Sequence, residues 1–187
     1  MKILVAYDSY FGNTEQIARA VGGAIDPQHQ VDITRISELK PEQLQNLDML
    51  VVGSPTRAFS ASDSTKAFLK GLSAGALNGV KVTAFDTRMD IKKAPGILRF
   101  LAGIFGYAAE PIAAQLKKKG GNPACQPQGF IVKDTQGPLE DGELQRAEVA
   151  AGDVEDAGFE AADGDVLVHP PDVVEHAAGL QDQGERQ

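Results

Sequence analysis

The sequence predicts an α/β protein built on a doubly wound, five-stranded parallel sheet with helices on both faces. Three observations carry that expectation. Short apolar runs alternate with helix-period segments throughout residues 1–151. One run, Asp48-Met49-Leu50-Val51-Val52-Gly53, is apolar without alternation, as a strand buried on both faces requires. And the first run, Ile3-Leu4-Val5-Ala6-Tyr7, ends in a hydroxyl-rich, glycine-containing loop that opens straight into a helical pattern.

Taken in order, residues 2–7 read as the first strand and 13–25 as a helix closed by Asp26-Pro27. Residues 30–36 show period-two alternation with Val31 and Ile33 on one side, and 41–44 read as a helical turn. The third strand is 48–53, followed by a helix over 65–72 with Ser62 or Asp63 as its cap. The fourth strand is 80–85, and the helix 110–119 stops at Gly120-Gly121. Residues 130–132 form the fifth strand, and the closing helix 140–151 follows Gly137-Pro138. Strands separated by helices imply parallel pairing through right-handed crossovers. The pattern alone leaves the strand order open.

A length of 187 residues suits one domain with an appendage. The net charge of −8 is unevenly placed: residues 152–187 hold ten Asp or Glu against one Arg, which leaves residues 1–151 at +1. The division is therefore a folded domain over 1–151 and an acidic, disordered tail over 152–187, with a short docking helix near 172–180 as the alternative. The N-terminus shows no charged segment leading into an apolar one, so no signal peptide is expected. The apolar stretch 95–114 is interrupted by Arg99 and Glu110 and makes a poor transmembrane span, which needs roughly 20 apolar residues. A single cysteine, Cys125, excludes an internal disulfide and suits a reducing cytoplasm. His29, His169 and His176 are scattered, so no metal site is expected. Nucleic-acid binding is disfavoured, because the lysine triplet Lys117-Lys118-Lys119 reads as a helix C-terminus complementing the dipole.

The loop after the first strand, Asp8-Ser9-Tyr10-Phe11-Gly12-Asn13-Thr14, carries the chemistry. It offers hydroxyls and backbone N–H groups to an anion at a helix N-terminus. It is not a Walker A loop, since no Lys follows the glycine, and its single Gly excludes the dinucleotide fingerprint. An ordinary polar strand–helix turn is the plain alternative. In spacing, Val5, Tyr7, Ser9, Gly12, Thr14, Ala18 and Val21 resemble the FMN-phosphate signature of the flavodoxin family, with Ala6 departing where a larger apolar residue is usual.

The resemblance covers about residues 1–150 and implies the flavodoxin-like strand order 2-1-3-4-5, in the short-chain form. It implies FMN as cofactor, with the phosphate held by Ser9, Gly12, Asn13 and Thr14, and with Tyr10 and Phe11 on the same loop. The loop Gly53-Ser54-Pro55-Thr56 matches the family's Gly-x-Pro-Thr pattern and would lie along the ring through Ser54, Pro55, Thr56 and Arg57. Arg57 departs from the aromatic often found there, so Phe59 or Tyr107 would stack, or one ring face would stay open. The loop beginning at Asp86 would bring Asp86, Thr87 and Arg88 to the ring. There Arg88 would either favour a reduced, anionic flavin or pair at the surface with Asp86 or Asp90. The long connection 91–109 reads as a lid or as a short buried helix carrying Leu98, Leu101 and Phe105.

Three functions fit. The first is an FMN-binding electron-transfer protein with no catalytic side chain and a redox partner protein. The second is an FMN-dependent oxidoreductase acting on a quinone or porphyrinogen, favoured by the nearly neutral domain and by Arg57, Arg88, Lys92 and Lys93. The third is a flavin-free interaction domain working through the acidic tail.

Overall fold

The structure, a computed structural model, describes residues 1–90, 96–97, 100 and 106–159. Strand β1 (Lys2–Tyr7) leads into helix α1 (Asn13–Ala24), β2 (Gln30–Arg35) and two 3₁₀ turns at Ile36–Glu38 and Pro41–Leu44. Then come β3 (Met49–Pro55), α2 (Asp63–Gly71), β4 (Lys81–Met89), α3 (Ala109–Lys118), β5 (Asn122–Pro123), β6 (Gln128–Val132) and α4 (Glu143–Phe159). The sheet order is β2-β1-β3-β4-β5, with β6 also paired to β4, and every strand pairing is parallel. This is the order 2-1-3-4-5.

The fifth sheet position differs from the expected single strand. It is shared by two segments, β5 beside Lys81 and Val82 and β6 beside Phe85 to Met89, so the sheet has six strands. Residues 124–127, which contain Ala124-Cys125-Gln126-Pro127, separate them; a proline lacks the N–H a ladder needs.

Alternation along the strands builds two cores. Ile3, Val5, Met49, Val51 and Phe85 pack with Ile17, Val21, Ala147 and Val154 of α1 and α4. On the other face Leu4, Ala6, Leu50, Val52, Val82 and Ala84 meet Leu69, Ile112 and Leu116 of α2 and α3. The edge-to-face pair Phe85–Phe130, with centroids 5.9 Å apart, closes the first core. Gly53 belongs here because a Cβ on it would lie 2.2 Å from the Phe85 ring.

Two expected boundaries move. Strand β4 continues to Met89, so Asp86, Thr87 and Arg88 are strand residues and not a loop. Helix α4 continues to Phe159, eight residues beyond the expected end, with Val154 buried against α1. The remaining tail, 160–187, and the reading of Leu98, Leu101 and Phe105 as a buried helix lie outside the described residues. Among the described residues no helix is long and apolar enough to cross a membrane, and no three His, Cys, Asp or Glu side chains gather as a metal site.

Candidate functional site

The carboxyl ends of β1, β3 and β4 lie side by side, with Tyr7 opposite Gly53 and Ser54 opposite Asp86. Above them is a cleft of about 290 Å³ lined by Ser9, Tyr10, Phe11, Asn13, Thr14, Pro55, Thr56, Arg57, Thr87 and Arg88, together with Ala58, Met89, Val132 and Thr135. Ten of the thirteen residues expected at the site thus share one cavity. Gly12, Ser54 and Asp86 are not among its lining residues.

Each of those three has a place in the frame around the cleft. Gly12 turns the chain into α1 with φ at +86°, a left-handed conformation that suits glycine. Its N–H donates to Ser9 Oγ at 3.0 Å. Ser54 is fully buried, and its hydroxyl accepts from the Ser62 N–H at 3.0 Å, which ties the loop after β3 to the start of α2. Asp86 is buried too, and one carboxylate oxygen accepts from the Ala109 N–H at 2.8 Å. The Thr56 hydroxyl accepts from the Ala108 N–H at 3.0 Å. Helix α3 has no local capping side chain, so Thr56 and Asp86 satisfy its N-terminus from two strand ends.

The charges are arranged unequally. Arg88 binds both oxygens of Asp86, at 2.5 and 2.7 Å, and its guanidinium lies 3.8 Å from the Tyr107 ring centroid. Burial pushes the Asp86 carboxyl above its ordinary value, while Arg88 and the Ala109 N–H pull it down. The Arg88–Asp86 pair is therefore a buried one, and it neutralises much of the charge Arg88 would offer a ring. Arg57 is exposed and sits over Tyr10, 5.1 Å from the ring centroid. Neither Phe59 nor Tyr107 lines the cleft; Tyr10 and Phe11 are its exposed aromatics.

One end of the cleft is built around the N-terminus of α1. Its N-terminus has no side-chain cap, and Ser9 and Thr14, both buried, stand beside it. Thr14 Oγ1 and Thr87 Oγ1 are 2.8 Å apart, joining the first loop to β4. Asn13 Nδ2 donates to the Gln136 carbonyl at 2.9 Å, joining the same loop to the segment after β6. That last segment is the part sequence reasoning missed: Val132 and Thr135 reach the cleft because β6 pairs with β4 at its carboxyl end. The run Lys133-Asp134-Thr135-Gln136-Gly137 held the signal, a polar, glycine-ended loop after a strand.

Comparison with known proteins gives the same reading. Residues 4–93 match the family described as "Flavodoxin domain". An NAD(P)H dehydrogenase (quinone) of Acidovorax ebreus (strain TPSY) is 34% identical over 111 residues, covering 46% of this chain and 56% of that protein. The match thus spans little more than half of the relative's length. A flavodoxin from the domain Archaea superposes with a TM-score of 0.64 at 19% identity, covering 84% of this chain and 99% of its own. Flavodoxin 1 from Bacillus cereus gives 0.64 at 16% identity, with 83% and 98% covered. At these identities the two structures speak for the fold.

FMN is the cofactor of that family. The residues present fit it: an uncapped helix N-terminus flanked by two hydroxyls suits a terminal phosphate, and a cleft with apolar and aromatic walls continues from there. Residues 4–93 thus match a flavodoxin domain, and the strands around them take the flavodoxin-like order 2-1-3-4-5.

Proposed function

We propose that this protein holds FMN in the cleft at the carboxyl ends of β1, β3 and β4 and carries electrons between partners in the cytoplasm. The observation that supports this best is the convergence of the uncapped α1 N-terminus with Ser9, Thr14, Thr56 and Thr87 on one cavity. When bound, FMN supplies the electron-accepting and electron-donating ring system. The chain supplies binding and surroundings. The N–H groups of the first turn of α1, with the Ser9 and Thr14 hydroxyls, hold the phosphate. Gly12 gives the loop its turn and Asn13 fixes it to Gln136. Pro55, Thr56 and Thr87 border the ring, Tyr10 and Phe11 wall the open side, and Arg57 caps Tyr10. Ser54, Asp86 and Arg88 act as framework, holding the loop after β3 and the start of α3 in place. No side chain is assigned a proton-transfer step.

A second reading, an FMN-dependent oxidoreductase acting on a quinone, is favoured by the Acidovorax relative and by the exposed Arg57 at the cleft. The partner is then a small-molecule quinone in place of a redox protein.

The purified protein should be yellow, and flavin released by acid should have the mass of FMN. Rapid reduction by a flavodoxin reductase, without steady-state consumption of a quinone and a nicotinamide donor, supports the carrier. Sustained quinone turnover supports the second reading instead. A colourless protein that ignores added FMN contradicts both.

A further inference from the structure

The loop of residues 9–14 contains no Lys, Arg or His, yet the phosphate of FMN is a dianion at neutral pH. Directly behind that loop stands an ion pair whose geometry is incomplete. Asp8, the residue after β1, is 7% exposed. Arg35, the last residue of β2, lies opposite Tyr7 in the sheet register. Arg35 Nε is 4.0 Å from Asp8 Oδ1, too far for a hydrogen bond. Among the described residues, neither Arg35 Nε nor Asp8 Oδ2 has a hydrogen-bond partner, although both are buried. The Arg35 Nη2 instead donates to the carbonyl of Ser9. Ser9 in turn shapes the loop through the Gly12 N–H.

A buried carboxylate beside a phosphate site repels the ligand unless a cation offsets it. Arg35 is placed to do so, and its charge is also felt on the first turn of α1. There Glu15 is held below its usual range, first by its bond to Arg19 and in smaller part by Arg35.

We propose that Arg35 is a positioning residue of the phosphate site: it tethers the Ser9 carbonyl to the end of β2 and offsets Asp8, so that the loop selects a phosphorylated flavin over an unphosphorylated one. The inference rests on the FMN reading above.

The test is a pair of equilibrium titrations on the full chain, with FMN and with riboflavin, followed by loss of flavin fluorescence. Arg35→Ala should weaken FMN about tenfold while leaving riboflavin within about twofold, and raised salt should narrow the difference. Asp8→Asn, which changes no volume, should tighten FMN about threefold with riboflavin unchanged. In the double variant the preference for FMN should return toward the wild-type ratio. Equal weakening of both flavins in Arg35→Ala, or an FMN-to-riboflavin ratio unmoved by Asp8→Asn, overturns the proposal while FMN binding itself stands. If Arg35→Ala does not fold, the Asp8→Asn ratio decides alone. A wild-type chain that binds neither flavin overturns the FMN reading and this inference with it.

Discussion

Single atoms decide how this cleft is held open. Gly12 has φ at +86° with open space where a Cβ would stand, so the cost of a side chain there is conformational rather than steric. Gly12→Ala should lower stability by about 1 kcal/mol in urea unfolding, and Gly12→Asn by less, because Asn tolerates the left-handed region. Equal stability of all three would show that the turn is not held as described. Asp86 is the opposite case, a group fixed by its partners. Asp86→Ala leaves Arg88, whose side chain is 12% exposed, without its carboxylate, and should cost about 3 kcal/mol. The pH dependence has a definite sign. Burial raises the Asp86 carboxyl in the fold, so its contribution is complete below the ordinary value of 3.8 and is lost as the pH climbs through the raised folded-state value. The stability margin of wild type over Asp86→Asn should therefore shrink as pH rises across that window. A margin that grows would contradict the assignment.

Among the elements, the central strands and α1 were readable from apolar pattern alone, because a strand buried on both faces leaves a continuous run and an amphipathic helix leaves a stripe. The cap of α2 was readable too: Ser62 Oγ accepts from the Thr65 N–H at 3.2 Å. The end of β4 was not, because Asp86 and Arg88 interrupt the apolar pattern. Only the fold shows that they neutralise each other and serve α3. The split fifth position escaped for a similar reason, since a two-residue strand has no periodicity to read. The lining of the candidate cleft was legible where one segment holds both motif and element, as in residues 9–14. It was illegible where side chains turn inward, as with Ser54, or where a distant loop arrives, as with Thr135. Helix α4 gives a direct test of its longer course. Val154 is 3% exposed, and Glu155 accepts from the Asp26 N–H beyond the end of α1. A chain ended at residue 151 should be less stable than one ended at 159 by about 2 kcal/mol, from the loss of one buried Val. Coincident thermal transitions would exclude that packing.

Along the whole molecule residues 1–151 are nearly neutral, at +1, and the acidic charge that brings the total to −8 lies in residues 152–187. On the electron-carrier reading proposed above, so small a net charge over residues 1–151 would steer partners weakly, and specificity would fall on the cleft and its rim of Tyr10, Phe11 and Arg57. Two packed cores, one on each face of the sheet, hold β1, β3 and β4 in register, so their carboxyl ends stand side by side. On the FMN reading, the fold should gain stability on loading, by about 2.7 kcal/mol when free FMN stands at 100 times its Kd. The most direct measurement is an equilibrium titration of the flavin-free full chain with FMN, followed by flavin fluorescence and visible absorption. Saturable one-to-one binding with quenched fluorescence is the predicted result, and a trace unchanged in excess FMN would contradict the central claim.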